Sequence, residues 1–214
     1  MKKFFQMGGV IAGAFLVLFG IGAIVIGFTG RGEVRDNIAR EAIVGTPDMT
    51  PSAIKEEATK AGLKNVDLPT CNVAGKTIDT GDEAKCFASY MRIHTLEATG
   101  GYTYSQMGRY QAQTTAPKSE LSEGGGTDNA SYAVTDTKTQ QPVANGARDL
   151  WITETALSTA LNVSYMADQL ALFSLVVGIA LLLTGVGFII LAAGGALRRT
   201  TAAAAPRPEV APAS

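Results

Sequence analysis

A mainly α-helical membrane protein, with two spanning helices bracketing a small helical extracytoplasmic domain held by one disulfide, is the fold this sequence predicts. Three observations carry the prediction. Two long uncharged apolar runs lie near the two ends of the 214-residue chain, capped helical patterns fill much of the region between them, and both cysteines lie in that middle region.

The first run, Met7 to Phe28, has 22 residues, and the second, Gln169 to Leu197, has 29. A bilayer core about 30 Å thick requires roughly 20 helical residues at about 1.5 Å each, so both runs suffice. In lipid every backbone group needs an internal partner, which makes an isolated apolar run a helix. Helices of a soluble core rarely continue this long without a charge. The expected organisation is therefore a short N-terminus (1–6), a span (7–28), a displayed domain (29–168), a second span (169–197) and a disordered tail (198–214) rich in Ala and Pro. Lys2 and Lys3 also resemble the basic start of a signal peptide. However, the apolar run exceeds a signal core of about 7–15 residues, and no small-residue cleavage site follows Phe28, so an uncleaved anchor is expected.

Orientation follows from the basic residues at the helix ends. Lys2 and Lys3 precede the first run, while Arg198 and Arg199 follow the second. This places both termini in the cytoplasm of a multi-pass plasma-membrane protein. Arg31, Arg35 and Arg40 oppose that orientation, but long loops translocate largely regardless of charge. On the outer side Cys71 and Cys86 are expected to pair; in a cytoplasmic loop they would be two free buried thiols.

Within the displayed domain, Val34, Ile38 and Ala42 recur every four residues and predict a helix over 33–43. It continues the first span, with Gly30 and Gly32 as the place for a break and Gly45 and Pro47 as its end. A second helix starts at Thr50-Pro51, a capping residue followed by a proline at the first helical position, and stops at Gly62. After a loop over 64–80, Thr80 and Glu83 form a capping box for a third helix that ends at Gly100-Gly101 and carries Phe87, Met91 and His94 on one stripe. Gly100 to Gln111, with Tyr102, Tyr104, Met107 and Tyr110, reads as a turn and a short helix. The stretch 112–145, rich in Thr, Ser, Gln and Gly, has few residues able to bury area and reads as a mobile polar loop, with Val134 and Val143 as candidates for a short ribbon. From Ala147 to Asp168 a helix carries Leu150, Leu157 and Leu161 on one stripe and Trp151 at its flank. No Gly or Pro separates it from the second span, so the two join into one helix of about 50 residues.

Candidate chemistry is sparse. A net charge of −1, with no basic stripe and interleaved aromatics, gives no reason to expect nucleic acid. His94 is the only histidine, with Glu97 three residues on as a face-sharing carboxylate, and one imidazole cannot supply the several that catalytic zinc or non-haem iron usually draws on. No G-x-S-x-G elbow or phosphate-binding glycine loop is present. No enzyme activity and no cofactor are expected. Tyr90, His94, Tyr102 and Tyr104 are the candidate lining of a small-ligand pocket. Gly9 and Gly13 in the first span, and Gly178, Gly185 and Gly187 in the second, are the candidates for close helix packing within or between copies. No ionisable residue interrupts either span, which argues against an ion pathway.

Three stretches carry a resemblance: Gly45-Thr-Pro-Asp-Met-Thr-Pro51, Ala84-Lys-Cys-Phe-Ala-Ser-Tyr-Met-Arg-Ile-His94 and Trp151-Ile-Thr-Glu-Thr-Ala-Leu-Ser-Thr-Ala-Leu-Asn162. Together they resemble a group of small two-span membrane proteins of actinobacteria without an assigned function, some of them named aromatic ring-opening dioxygenases. The likeness covers most of the chain outside the polar loop and the tail. Ring-opening enzymes of that kind hold iron through two histidines and a carboxylate, and this chain departs from the pattern with its single histidine, so no functional residue carries over. The expectation is a non-enzymatic envelope protein acting as an accessory or interaction subunit, whose partners are the lipid bilayer and other membrane proteins or further copies of itself. The alternatives are a ligand-sensing ectodomain that signals through a partner and, more remotely, an iron-dependent dioxygenase.

Overall fold

A computed structural model of the protein describes residues 2–194, with side chains from residue 6 onward. The predicted tail, Arg198 and Arg199 lie outside the described residues, as do the side chains of Lys2 and Lys3. Among the described residues the chain is mainly helical, with four α-helices: α1 (Lys2–Arg40), α2 (Pro51–Lys60), α3 (Gly81–Ala98) and α4 (Gly146–Ala193). α1 and α4 are long and apolar enough to cross a membrane. The chain divides into two compact units, one built from the terminal stretches up to Gly27 and from Phe173, the other from Phe28–Leu172.

In the terminal unit α1 and α4 pack antiparallel. Gln6 Nε2 donates to the Ala192 carbonyl at 3.4 Å. A Cβ added at Gly13 would fall 2.7 Å from the Gly185 carbonyl oxygen, and one at Gly20 would fall 2.8 Å from that of Gly178. The buried positions repeat every seven residues, Gly13, Gly20 and Gly27 against Gly178, Gly185 and Ala192. This keeps a narrow seam of small residues facing the partner helix and lets the backbones approach. Of the glycines expected to pack, Gly13, Gly178 and Gly185 do so. Gly9 is half-buried, and Gly187 faces open space, because a seven-residue seam leaves residue 187 off the contact face. Gly20, absent from the sequence expectation, belongs to the seam. The large side chains point away from it, with Leu18 67% and Phe19 68% exposed.

In the central unit α1 passes Gly30 and Gly32 without a break and stops at Arg40, where Ala42 turns into the left-handed region at φ 50°. Gly45 therefore does not cap this helix. It donates to the Lys76 carbonyl at 2.9 Å and accepts from Gly75 N at 2.8 Å, so the strand-like passage 43–45 lies along 73–78. A side chain at Gly45 would collide with the Val73 carbonyl.

α2 and α3 form as their caps predict. Thr50 Oγ1 accepts from Ala53 N at 3.2 Å. Thr80 Oγ1 accepts from Glu83 N at 3.3 Å, while the Glu83 carboxylate accepts from Thr80 N at 3.2 Å. Gly62 closes α2 in the left-handed conformation at φ 70°. The core these helices share is built on Met49, Ile54, Val73, Ile78, Tyr90 and Ile93, all essentially inaccessible to solvent. Val34 and Ile38 of α1 and Trp151, Leu157 and Leu161 of α4 close it. Leu150 departs from the expected stripe. It is exposed, and Trp151 takes the core position, its indole N–H donating to the Tyr102 carbonyl at 2.8 Å. At the base of the unit Arg31 Nε meets the buried Asp168 carboxylate at 3.0 Å.

The stretch 112–145, read from sequence as a mobile polar loop, carries more backbone pairing than that reading implies. Tyr110 and Thr127 exchange two backbone hydrogen bonds at 2.9 Å, Gln111 donates to Val143, and Val134 donates to Gln111. Val143 donates to the Val134 carbonyl at 2.8 Å, so the two valines do meet in a short ribbon. The segment is held by backbone pairing and by small buried residues, Thr127 and Ala133, rather than by large apolar side chains.

Candidate functional site

The cluster of ligating side chains around His94 is formed where α2 packs on α3. Asp48 sits in the turn just before the Thr50 cap, Glu57 lies on the second turn of α2, and His94 lies well inside α3. His94 Nε2 stands 2.8 Å from Asp48 Oδ2 and 3.9 Å from Glu57 Oε2. One donor atom from each residue lies within 4.8 Å of the others. The side chains are 26–38% exposed, so the site is recessed but open to solvent on one side.

Its electrostatics are those of crowded carboxylates. Burial pushes the Glu97 carboxyl above the usual carboxylate range, and the neighbouring Glu57 and Asp48 charges add to this against the opposing pull of His94. Burial acts to raise the Asp48 carboxyl too, but the Thr46 hydroxyl, its own backbone amide and His94 outweigh it and hold it low. Tyr90, one turn before His94, is raised by burial and by the Asp48 charge. Among the described residues no Lys or Arg forms an ion pair with Asp48, Glu57 or Glu97. Glu97 Oε1 is buried and lacks a hydrogen-bond partner among the described residues, while the buried His94 Nε2 faces the Asp48 and Glu57 carboxylates.

The four side chains expected to line one pocket are engaged separately. Tyr90 is fully buried and its hydroxyl donates to the Cys71 carbonyl at 2.6 Å. His94 faces Asp48 and Glu57. The Tyr102 carbonyl accepts from Trp151, and the Tyr104 ring lies under the Arg148 guanidinium at 4.1 Å. Tyr90 is thus part of the core, Tyr102 packs partly buried against it, and Tyr104 is exposed. Cys71 and Cys86 do form the expected disulfide, which joins the loop before α3 to the second turn of that helix. An open cleft of about 280 Å³ lies between α3 and α4, lined in part by Ser89, Arg92, Glu154, Ser158 and Asn162. The buried Glu154 carboxylate there accepts from Ser158 Oγ at 2.7 Å.

Asp48 and Glu57 went unnoticed in the sequence because their relation to His94 is tertiary. The one local signal, Glu97 on the same helix, found a neighbour of the cluster and not its nearest carboxylate. Comparison with known protein families, with curated proteins and with solved structures finds no match.

Proposed function

We propose that the protein is a non-enzymatic two-span protein of the plasma membrane, with both termini in the cytoplasm, that displays the Phe28–Leu172 unit outside the cell to engage other membrane or envelope proteins. The observation that carries this reading is the exposure of large apolar side chains along the α1–α4 pair. Phe15, Leu18, Phe19 and Ile26 on one helix, and Phe173, Leu183 and Ile190 on the other, all stand outward. A soluble protein rarely exposes so extensive an apolar surface, whereas in lipid it is solvated. The Cys71–Cys86 disulfide and the absence of free cysteines among the described residues suit an oxidising compartment. The place of this chain among the actinobacterial two-span proteins it resembles is part of the same proposal.

Covalent capture in intact cells with a membrane-impermeant crosslinker, followed by extraction in mild detergent, tests the function. A stoichiometric envelope partner or a defined homo-oligomer is the expected result, and an uncrosslinked monomer would refute the interaction role. The second reading, a ligand-sensing ectodomain, is favoured by the hydroxyl-lined cleft between α3 and α4. It predicts that a small polar ligand raises the melting temperature of that monomer. The iron-dependent ring-opening activity would require bound iron and catechol turnover, and that result would overturn the non-enzymatic assignment.

A further inference from the structure

We propose that Asp48, Glu57 and His94 form a binding site for a divalent transition-metal ion, with Zn²⁺ the ion their donor set fits best. The proposal stands apart from the interaction role, because it rests only on the central unit and holds whichever side of the membrane that unit occupies.

The geometry is that of ligands gathered around a common point. Zinc binds imidazole nitrogen and carboxylate oxygen at about 2.0–2.2 Å, which puts neighbouring ligand atoms roughly 3–3.5 Å apart in a tetrahedral or distorted shell. The separations from His94 Nε2, 2.8 Å to Asp48 Oδ2 and 3.9 Å to Glu57 Oε2, bracket that spacing. All three donor atoms lie within 4.8 Å of one another, so binding draws the side chains together.

The imidazole–carboxylate pair leaves a place for a cation. Nε2 lies 2.8 Å from Asp48 Oδ2, a distance that a proton bridges when the imidazole is charged. As a bare nitrogen with its proton on Nδ1, it directs a lone pair into the cluster and is satisfied by a metal. Glu97, whose Oε1 is buried and without a partner among the described residues, lies near enough to feel the charges of all three ligands. Charge points the same way. Asp48 and Glu57 converge with no Lys or Arg ion-paired to them among the described residues, and a dication would neutralise the two carboxylates directly.

The donor set discriminates between ions. Ca²⁺ takes six to eight oxygens and Mg²⁺ demands an octahedron of oxygens, mostly water, and neither gains from an imidazole. One nitrogen and two carboxylates suit zinc with a solvent position left open. The iron triad of two histidines and a carboxylate is a different set, which this chain's single histidine does not provide.

The test uses the full chain, purified in detergent through a histidine-free tag and stripped with chelator. Titration calorimetry with Zn²⁺ is expected to show one saturable site per chain, and the melting temperature is expected to rise on addition of Zn²⁺ but not of equimolar Mg²⁺. His94→Gln and Glu57→Gln should each weaken Zn²⁺ binding at least tenfold. Glu57 is the more exposed ligand, so Glu57→Gln decides the matter if His94→Gln does not fold. Co²⁺ bound in place of Zn²⁺ should give visible absorption that Glu57→Gln diminishes. The proposal is overturned if the wild-type chain shows no saturable Zn²⁺ binding, or if folded Glu57→Gln binds Zn²⁺ as tightly as wild type.

Discussion

Replacing Cys71 and Cys86 together by alanine removes a crosslink that closes a loop of 15 residues. Constraining a loop of that length is worth about 3 kcal/mol through the entropy of the unfolded chain. The structure adds a reason to expect most of that value. Within the loop Val73 and Ile78 are fully buried, and the Cys71 carbonyl accepts the Tyr90 hydroxyl at 2.6 Å, so the crosslink joins segments already held in place by native contacts. For a unit of roughly 150 residues each kcal/mol moves the melting temperature by about 2–4 °C, which gives a fall of about 6–12 °C. Thermal unfolding of the detergent-solubilised protein, followed by circular dichroism, measures it directly, and wild type with reductant should behave like the double variant. A fall of less than about 2 °C in both would mean that the loop retains its native closure in the unfolded chain or that the linkage is not formed, and either contradicts a stabilising crosslink.

Other outcomes follow from the same contacts. Gly20→Leu, whose Cβ would lie 2.7 Å from Leu182 N, should lower the melting temperature and weaken disulfide trapping between cysteines placed along the α1–α4 seam, whereas Gly187→Leu, facing open space, should leave both unchanged. Arg31→Ala leaves the buried Asp168 carboxylate unpaired and should cost about 1–3 kcal/mol by chemical denaturation, more than the double variant Arg31→Ala with Asp168→Asn. Because the folded Glu97 carboxyl is held above its unfolded value, the folded state takes up its proton first, so its charge costs stability at neutral pH and the cost is relieved as pH falls through the raised value towards the unfolded one. Glu97→Gln should therefore stabilise the metal-free protein at pH 7.5 and gain progressively less towards pH 5; an equal gain at both would contradict the assignment.

The parts of this fold that were legible in the sequence are those encoded by neighbouring residues. Thr50 before Pro51, and Thr80 three residues before Glu83, announce the starts of α2 and α3 because capping is a contact within one turn. The continuous α4 follows from a helical pattern that no Gly or Pro interrupts between Ala147 and Gly178. The ribbon around Tyr110, Thr127, Val134 and Val143 was much harder to read. Its pairing is between backbone groups, which leave no pattern in side-chain polarity, and its buried residues are small ones such as Ala133. The glycine seam misled in a particular way. The four-residue spacing of Gly9 and Gly13 attracts attention, but the two helices meet on a seven-residue repeat through Gly13 and Gly20. The His94 cluster needed the packing of α2 on α3 before Asp48 and Glu57 came into view.

For the proposed function to hold, lipid must be the solvent of α1 and α4 and the unit between them must be carried outside. A Lys138→Cys variant places a reactive thiol on an exposed turn of that unit. Intact cells are treated with a membrane-impermeant maleimide, and their membranes are then washed with alkaline carbonate. Labelled protein retained in the membrane pellet is the expected result. Label acquired only after lysis would place the domain in the cytoplasm, and release of the chain into the carbonate supernatant would remove the membrane from the account altogether.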